Sequence, residues 1–476
     1  MTHIQLLRRV ILLSFLFSII IQPVTTYAEP TNADDISRTD DQYTVSGDAI
    51  ERRFDGVNSI PVTSNPTGNG NPGVRVISNP SFELPNNPSG LMTCEANMSG
   101  WFTTHSNRND PGIGTAPCPV FEMWRYPFSN NVTNRAAPDG VQAIELSAYD
   151  ATMAYQPICM RGGESFDFEF HHMQRYIGSH PYYNQIDTIS FRFGIPNISP
   201  SSKTADIAAN SLEVIRVENT WINGSTPPTV VALQKHANTS SVIITVLPTY
   251  WARIRGTFQT PSDFSGIRNL GFQGITPAGS VGNILDAITI NLKPIVDFGI
   301  SRDSSGNETS TPQALNIRIN GRVVSGTKIM LQMAEGTATP DTDFALGAVD
   351  AGAHGTGSIE HITGSNNWLI TIPPGDYDGG VFASNDVGGL TIPITYTSDA
   401  ALEPTEYIYF KILPAGKIGS STNWLTGDPT CDGSRKIDGV VYSIVDVGPT
   451  STPVPSLTMT PSRTPSPTFT LTPTNT

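Results

Sequence analysis

Apolar side chains recur at every second position along much of this 476-residue chain, and no other feature constrains its fold as tightly. Phe166, Phe168 and Phe170 alternate with polar residues, and Ile189, Phe191, Phe193 and Ile195 alternate with polar or small ones. Leu315, Ile317 and Ile319 repeat the pattern, as do Ile329, Leu331 and Met333. Successive strand side chains point to opposite faces, so this period predicts strands with one face on a core. Further strands are expected at Ser241–Leu247, Ala287–Leu292, Leu369–Ile372, Leu390–Tyr396 and Tyr407–Ile412. Asn320-Gly321 carries the strongest hairpin signal. No stretch shows a capped helical stripe, and the 42 Gly and 38 Pro supply turns between the strands. The expected fold class is all-β, with two consecutive antiparallel β-sandwiches and disordered ends.

The N-terminus predicts export. Arg8 and Arg9 precede an apolar run, Val10–Ile21, interrupted only by Ser14 and Ser18, and small residues follow at Thr26 and Ala28. That is the layout of a secretory signal peptide over residues 1–28, followed by a polar, flexible leader over 29–73. No other stretch approaches the roughly 18 apolar residues of a membrane span, so no stable membrane insertion of the mature chain is expected. At the other end, residues 448–476 repeat Thr-Pro at Thr460, Thr464 and Thr472 and read as a disordered, extended tail. The expected location is secreted or cell-surface. A net charge of −14 argues against nucleic acid as partner, because phosphate contacts need basic patches.

Cys94, Cys118, Cys159 and Cys431 allow three pairings in an exported chain. Cys94 and Cys118 share a turn-rich stretch and are the favoured disulfide. Cys159 lies in an apolar strand and reads as a buried thiol.

Residues 74–294 carry NPSFE (79–83), Gly100-Trp101, Glu122-Met123-Trp124, PDGVQAIELSA (138–148), YQPI (155–158) and GNILDAITI (282–290) in that order. The series resembles the galactose-binding-like jelly rolls of carbohydrate-binding modules. The resemblance implies two packed antiparallel sheets and a structural Ca2+ held by Glu83 and Asp286. The alternative is that Glu83 caps a turn and Asp286 accepts backbone N–H bonds. With Phe166, Phe168 and Phe170 inward, Asp167, Glu169 and His171 face the other way. Together with Arg175 and Trp124 they form the candidate ligand-binding set. Trp101, Trp221 and Trp251 are further candidates for stacking on sugar rings, with core packing as the alternative. Asp167 and Glu169 could also reach the spacing of a glycosidase pair.

Residues 295–447 carry EGTATPDTDF (335–344), IPPGDYDG (372–379) and DAALEPTEYIYFKIL (399–413), which resemble the Calx-beta domain, an Ig-like sandwich. The resemblance implies Ca2+ ligands at Glu308, Glu335, Asp399 and Glu403, with Asp343 and Glu406 as lesser candidates. The sequence departs from that pattern at Glu335, at Ser398-Asp399 and in the long stretch 346–367, which predicts weak binding, Kd about 10⁻⁴–10⁻³ M. The expected function is a non-catalytic binding or adhesion protein with an extracellular glycan or surface protein as partner. The alternatives are a structural envelope or matrix component, and a glycan-active hydrolase. Motifs of Ser hydrolases, zinc proteases and phosphate-binding loops are missing from the sequence.

Overall fold

The structure is a computed structural model that describes residues 74–86, 92–108, 117–126, 136–146, 151–175, 187–195, 211–219, 231–236, 242–246, 251–275, 282–299, 304–307, 313–380, 388–398, 404–431 and 439–445. The segments expected to be a signal peptide, a flexible leader and a Thr-Pro tail lie outside them. All belong to one compact unit. Among them, regular structure is strand apart from two single 3-10 turns, Glu95–Asn97 and Gly352–His354. None of their helices is long and apolar enough to cross a membrane.

The first fourteen strands build one sandwich. In chain order they are β1 (Met92–Cys94), β2 (Phe102–Thr103), β3 (Asn107–Arg108), β4 (Cys118–Arg125) and β5 (Gln142–Glu145). Then come β6 (Met153–Met160), β7 (Ser165–Gln174), β8 (Asp187–Ile195), β9 (Leu212–Asn219) and β10 (Val231–His236). The last four are β11 (Val242–Val246), β12 (Ala252–Gln259), β13 (Gly266–Gly274) and β14 (Asn283–Asn291). The larger sheet runs β1-β4-β5-β14-β7-β12-β10, with β3 added to β4; the smaller runs β11-β9-β8-β13-β6-β2. Their facing sides meet in a phenylalanine-rich core. Phe168 and Phe170 of β7 lie 5.0 Å and 6.0 Å from Phe191 of β8, and Phe170 lies 4.9 Å from Phe272 of β13. Each such side chain contributes roughly 1.5–3 kcal/mol on burial, so the period-two run in β7 selects which face of the sheet turns inward.

The second sandwich contains β15 (Ile295–Phe298), β16 (Ser304–Asn307), β17 (Gln313–Val323), β18 (Lys328–Gly336), β19 (Phe344–Leu346) and β20 (Ser358–His361). It continues with β21 (Asn367–Thr371), β22 (Gly375–Asp378), β23 (Gly389–Tyr396), β24 (Glu406–Ile412), β25 (Leu425–Thr426) and β26 (Val440–Val445). One sheet runs β19-β23-β17-β15-β25, with β22 also on β17; the other runs β16-β26-β24-β18-β21-β20. Phe344 of β19 reaches across to Trp368 and Phe410 of the opposite sheet, both at 6.0 Å. Most pairings are antiparallel, but β10 on β12, β11 on β9, β15 on β25 and β16 on β26 are parallel.

Two expectations are corrected. Asn320-Gly321 is no hairpin: β17 runs through it to Val323, and the chain turns at 324–327, where Thr327 N donates to Val324 O. The pair serves another purpose. Asn320 Oδ1 accepts from Arg75 N, and Gly321, at φ +122°, leaves only 2.9 Å between an added Cβ and Pro294 Cα. Cys159 is likewise no thiol. It is disulfide-bonded to Cys431, 272 residues away, with S–S 2.02 Å. Cys94 is bonded to Cys118.

Both corrections fall at the junction of the sandwiches. Arg75, fully buried, gives its Nε to Lys293 O, its Nη1 to Cys159 O and its Nη2 to Glu164, while its backbone N reaches Asn320 of the second sandwich. Asn320 Nδ2 continues to Pro429 O at 2.7 Å. Cys159, Ile295, Leu425 and Cys431 pack as a small apolar cluster beside these bonds.

Candidate ligand-binding face

The inward phenylalanines of β7 leave Asp167, Glu169, His171 and Met173 on the outer side of the larger sheet. The register with β12 sets Thr257 against Asp167, Arg255 against Glu169 and Arg253 against His171. Thr257 Oγ1 donates to Asp167 Oδ1 at 2.6 Å. Arg253 donates through Nε and Nη2 to the two oxygens of Glu169, both at 2.7 Å, a fork-to-fork pair that holds Glu169 below the usual carboxylate range. Burial lowers the pKa of His171, against the opposing pull of Glu169. Donors and acceptors thus form a half-exposed strip along β7 and β12.

The strip ends on an aromatic cluster. Met173 pairs in register with Ile284 of β14, Ile284 with Glu145 of β5, and Glu145 with Glu122 of β4. Trp124, Ala143, Met173, Ile284 and the partly buried Trp251 pack together on the same side. The Arg175 guanidinium stacks over Trp124, 4.3 Å from the ring centroid. Its Nη1 lies 3.0 Å from Glu145 Oε2 and 3.6 Å from Glu122 Oε1, and Trp124 Nε1 donates to Glu145 Oε2 at 2.8 Å. Burial, then repulsion from Glu145, pushes the Glu122 carboxyl up to about 8. Burial also raises Glu145, against the pull of Arg175.

Asp167, Glu169, His171, Arg175 and Trp124 therefore share one face. Glu122, Glu145, Arg253, Arg255 and Thr257 were missed in the sequence. A lone acid inside each of the apolar strings VFEMW and QAIEL was the available signal for the first two. As a glycosidase pair, Asp167 and Glu169 fall short: Glu169 is held ionised by Arg253, and Asp167 stands exposed near the start of β7. No division into acid and base follows from such surroundings. Trp101 is a core residue, and Trp221 lies outside the described residues.

Glu83 and Asp286 both bind the backbone of residues 139–142 beside β14. Glu83 Oε1 accepts from Val141 N and Gln142 N, both at 2.7 Å. Asp286 Oδ2 accepts from Asp139 N at 3.1 Å and Oδ1 from Ala287 N at 2.7 Å, at a β14 bulge where Ala287 has φ +50°. Burial pushes Asp286 up to about 8 despite these amides, with Asp139 and Glu83 adding repulsion. The backbone-accepting roles are thus present. Two carboxylates around a loop are also oxygen chemistry that suits a hard cation. Among the described residues no three His, Cys, Asp or Glu side chains converge tightly enough to hold a metal ion, so backbone carbonyls would have to complete such a site. In the second sandwich, Glu335 is exposed at a bulge of β18, Asp343 accepts from Thr339 N, and Glu406 opens β24. Glu308, Asp399 and Glu403 lie outside the described residues.

The fold and this face define an all-β protein with a polar and aromatic sheet surface. Comparison with known protein families and with curated proteins gave no match. Among solved structures, a Stig cyclase, Fisc, from Fischerella sp. TAU is similar over 46% of this chain and 96% of its own, at 11% identity and TM-score 0.29. The CBM22-1–GH10 modules of Clostridium thermocellum endo-1,4-beta-D-xylanase 10B, complexed with xylohexaose, match 46% of this chain and 27% of theirs, at 11% identity and TM-score 0.23. The CBM22-1–CBM22-2 tandem of Paenibacillus barcinonensis Xyn10C matches 69% of this chain and 91% of its own, at 11% identity and TM-score 0.23. Scores this low carry no weight for function, which is argued from the face itself.

Proposed function

We propose that the protein binds glycan through the outer face of the larger sheet of its first sandwich, in a secreted or cell-surface adhesion role. One observation carries this reading: a single sheet face joins the hydrogen-bonding strip of Asp167, Glu169, Arg253 and Thr257 to the Trp124–Arg175–Trp251 end. Sugar hydroxyls both donate and accept, and sugar C–H faces pack on aromatic rings, so both halves have a use. No catalytic role is assigned to any residue. Two disulfides support the extracellular setting, since such bonds persist in oxidising compartments. Ca2+ bound by Glu83 and Asp286 is part of the same proposal, as an element that steadies the 139–142 segment rather than a ligand contact.

The test is retention of the purified chain on immobilised xylan, β-glucan, mannan and galactan. The double variant Glu169→Ala/Arg253→Ala removes both ends of the exposed pair and leaves no lone charge. An affinity loss of about tenfold or more on the polysaccharide that binds is expected. Undiminished binding by the double variant, or no retention on any of the four, sinks the proposal.

A further inference from the structure

The pair Glu122–Glu145 stands apart from the hydrogen-bonding strip, and its charge count is unbalanced. The two residues face each other across β4 and β5, where opposed Cβ atoms lie about 4.5–5.5 Å apart. Both touch the same cation, Arg175 Nη1, at 3.0 Å from Glu145 and 3.6 Å from Glu122. Their side chains are 0% and 10% exposed respectively, so water screens neither. Among the described residues, the groups acting on them are each other, Arg175, Trp124 Nε1 and the Gly282 amide. Their remaining strand partners, Met92 of β1 and Ile284 of β14, do not titrate. The next row along the face holds His171, Arg253 and Asp286, and none of these is among the acting groups. Glu145 Oε1 is buried and lacks a partner in hydrogen-bonding geometry. One guanidinium can neutralise one carboxylate. Among the described residues a second negative charge in the same buried spot has no counter-ion, and two close acids in such surroundings ionise one at a time.

We infer that Glu122 and Glu145 hold one proton between them, and that losing it opens the aromatic end of the face, making the proposed glycan surface pH-gated. The consequence for binding rests on the glycan reading; the shared proton does not. Glu122 is the less enclosed of the two, so the second charge is relieved by Glu122 turning outward to water. Arg175 then loses Glu122 as a carboxyl partner while it is stacked on Trp124, and the stack loosens with it. The proton is present at low and neutral pH and leaves as pH rises, because burial and like charge both favour the protonated acid. The closed face belongs to neutral conditions and the open one to mildly alkaline conditions.

The first arm of the test needs no ligand. The full chain, labelled with 13C at its glutamate side-chain carboxyls, is titrated by NMR from acid to alkaline pH. One carboxyl signal should titrate well above the ordinary glutamate value of about 4.3. It should be lost in both Glu122→Gln and Glu145→Gln. Tryptophan fluorescence should change over the same alkaline range in the parent and stay level in Glu122→Gln, which keeps the shape of the neutral acid. If every glutamate titrates in the ordinary range, the inference fails on the parent alone, whatever the variants do. A Glu122→Gln protein that follows the parent's fluorescence also overturns it. The second arm reads affinity for soluble xylan. A drop of about tenfold across the alkaline step is expected in the parent, with little change in Glu122→Gln. Binding that is level with pH in the parent overturns the gating. If xylan is not bound at any pH, it is the glycan reading that fails for this sugar, and the first arm still decides the switch.

Discussion

His172 shows how much one buried residue can set. It closes the inward side of β7 beyond Phe170, is fully buried, and its Nε2 lies 2.6 Å from Asn283 Oδ1. Asn283 Nδ2 donates to Thr188 O, so its Oδ1 faces the imidazole and Nε2 is the donor. Nδ1 is buried without a hydrogen-bond partner, which suits a neutral ring and not a charged one. Burial accordingly pushes the His172 pKa down to about 4. In the unfolded chain the ring titrates near 6.5, so between those values the unfolded state binds the extra proton. Stability is then lost as pH falls from about 6.5 to about 4, by up to roughly 3 kcal/mol. His172→Gln keeps an amide donor for Asn283 and does not titrate. Urea midpoints measured across this window should fall less steeply in the variant than in the parent. Equal slopes would place the acid sensitivity elsewhere.

Elements differ in how far they could be read in advance. The face of β7 was legible because strand alternation is local: Phe166, Phe168 and Phe170 define the core side, and Asp167, Glu169 and His171 follow by geometry. The Glu122–Glu145 pair was hidden, since its meaning comes from burial and from Arg175, which arrives from another strand. Asn320-Gly321 misled for a similar reason. Its local signal is a turn, but Arg75, Pro294 and Pro429 approach it from distant parts of the chain and make it a strand crossing instead. Gly321→Ala should therefore cost more than a loop glycine would. At φ +122°, with Pro294 Cα 2.9 Å from the added methyl, a loss above about 1 kcal/mol is expected by chemical denaturation. Gly326→Ala, at φ +79° with open space around it, is the control that isolates the steric part. A second expectation at this scale concerns the 139–142 loop, which Glu83 and Asp286 hold against β14. Excess calcium should raise the melting transition of the parent relative to chelator, because a ligand that binds only the native state stabilises it. Asp286→Asn should erase that difference. A parent whose melting ignores calcium has only the hydrogen-bonding role for these two acids.

The whole molecule turns on the junction between its sandwiches. Their cores are separate: one draws on residues from Ile77 to Leu292, the other on residues from Val296 to Ile444. Two such cores on a plain linker would melt independently. Here the Cys159–Cys431 disulfide and the hydrogen bond from Arg75 N to Asn320 Oδ1 cross between them, and Asn320 Nδ2 ties that bond on to Pro429 O. The disulfide closes a loop spanning 272 residues, so in the chain-entropy account its removal costs on the order of 5 kcal/mol. That loop takes in the whole second half of the first sandwich and most of the second, so unfolding either one alone recovers little of the closed-loop entropy. A single calorimetric transition is therefore expected for the oxidised chain. The double variant Cys159→Ser/Cys431→Ser should melt lower and in two steps, with Cys94–Cys118 left intact as an internal control. Asn320→Ala, made in the oxidised protein, removes the acceptor of Arg75 N and the donor to Pro429 O and tests how much of the coupling is non-covalent. If the serine variant still melts in one step while Asn320→Ala splits the transition, the polar contact is the coupling and the disulfide only reinforces it. If both variants melt in one step, the sandwiches are joined by contacts other than these.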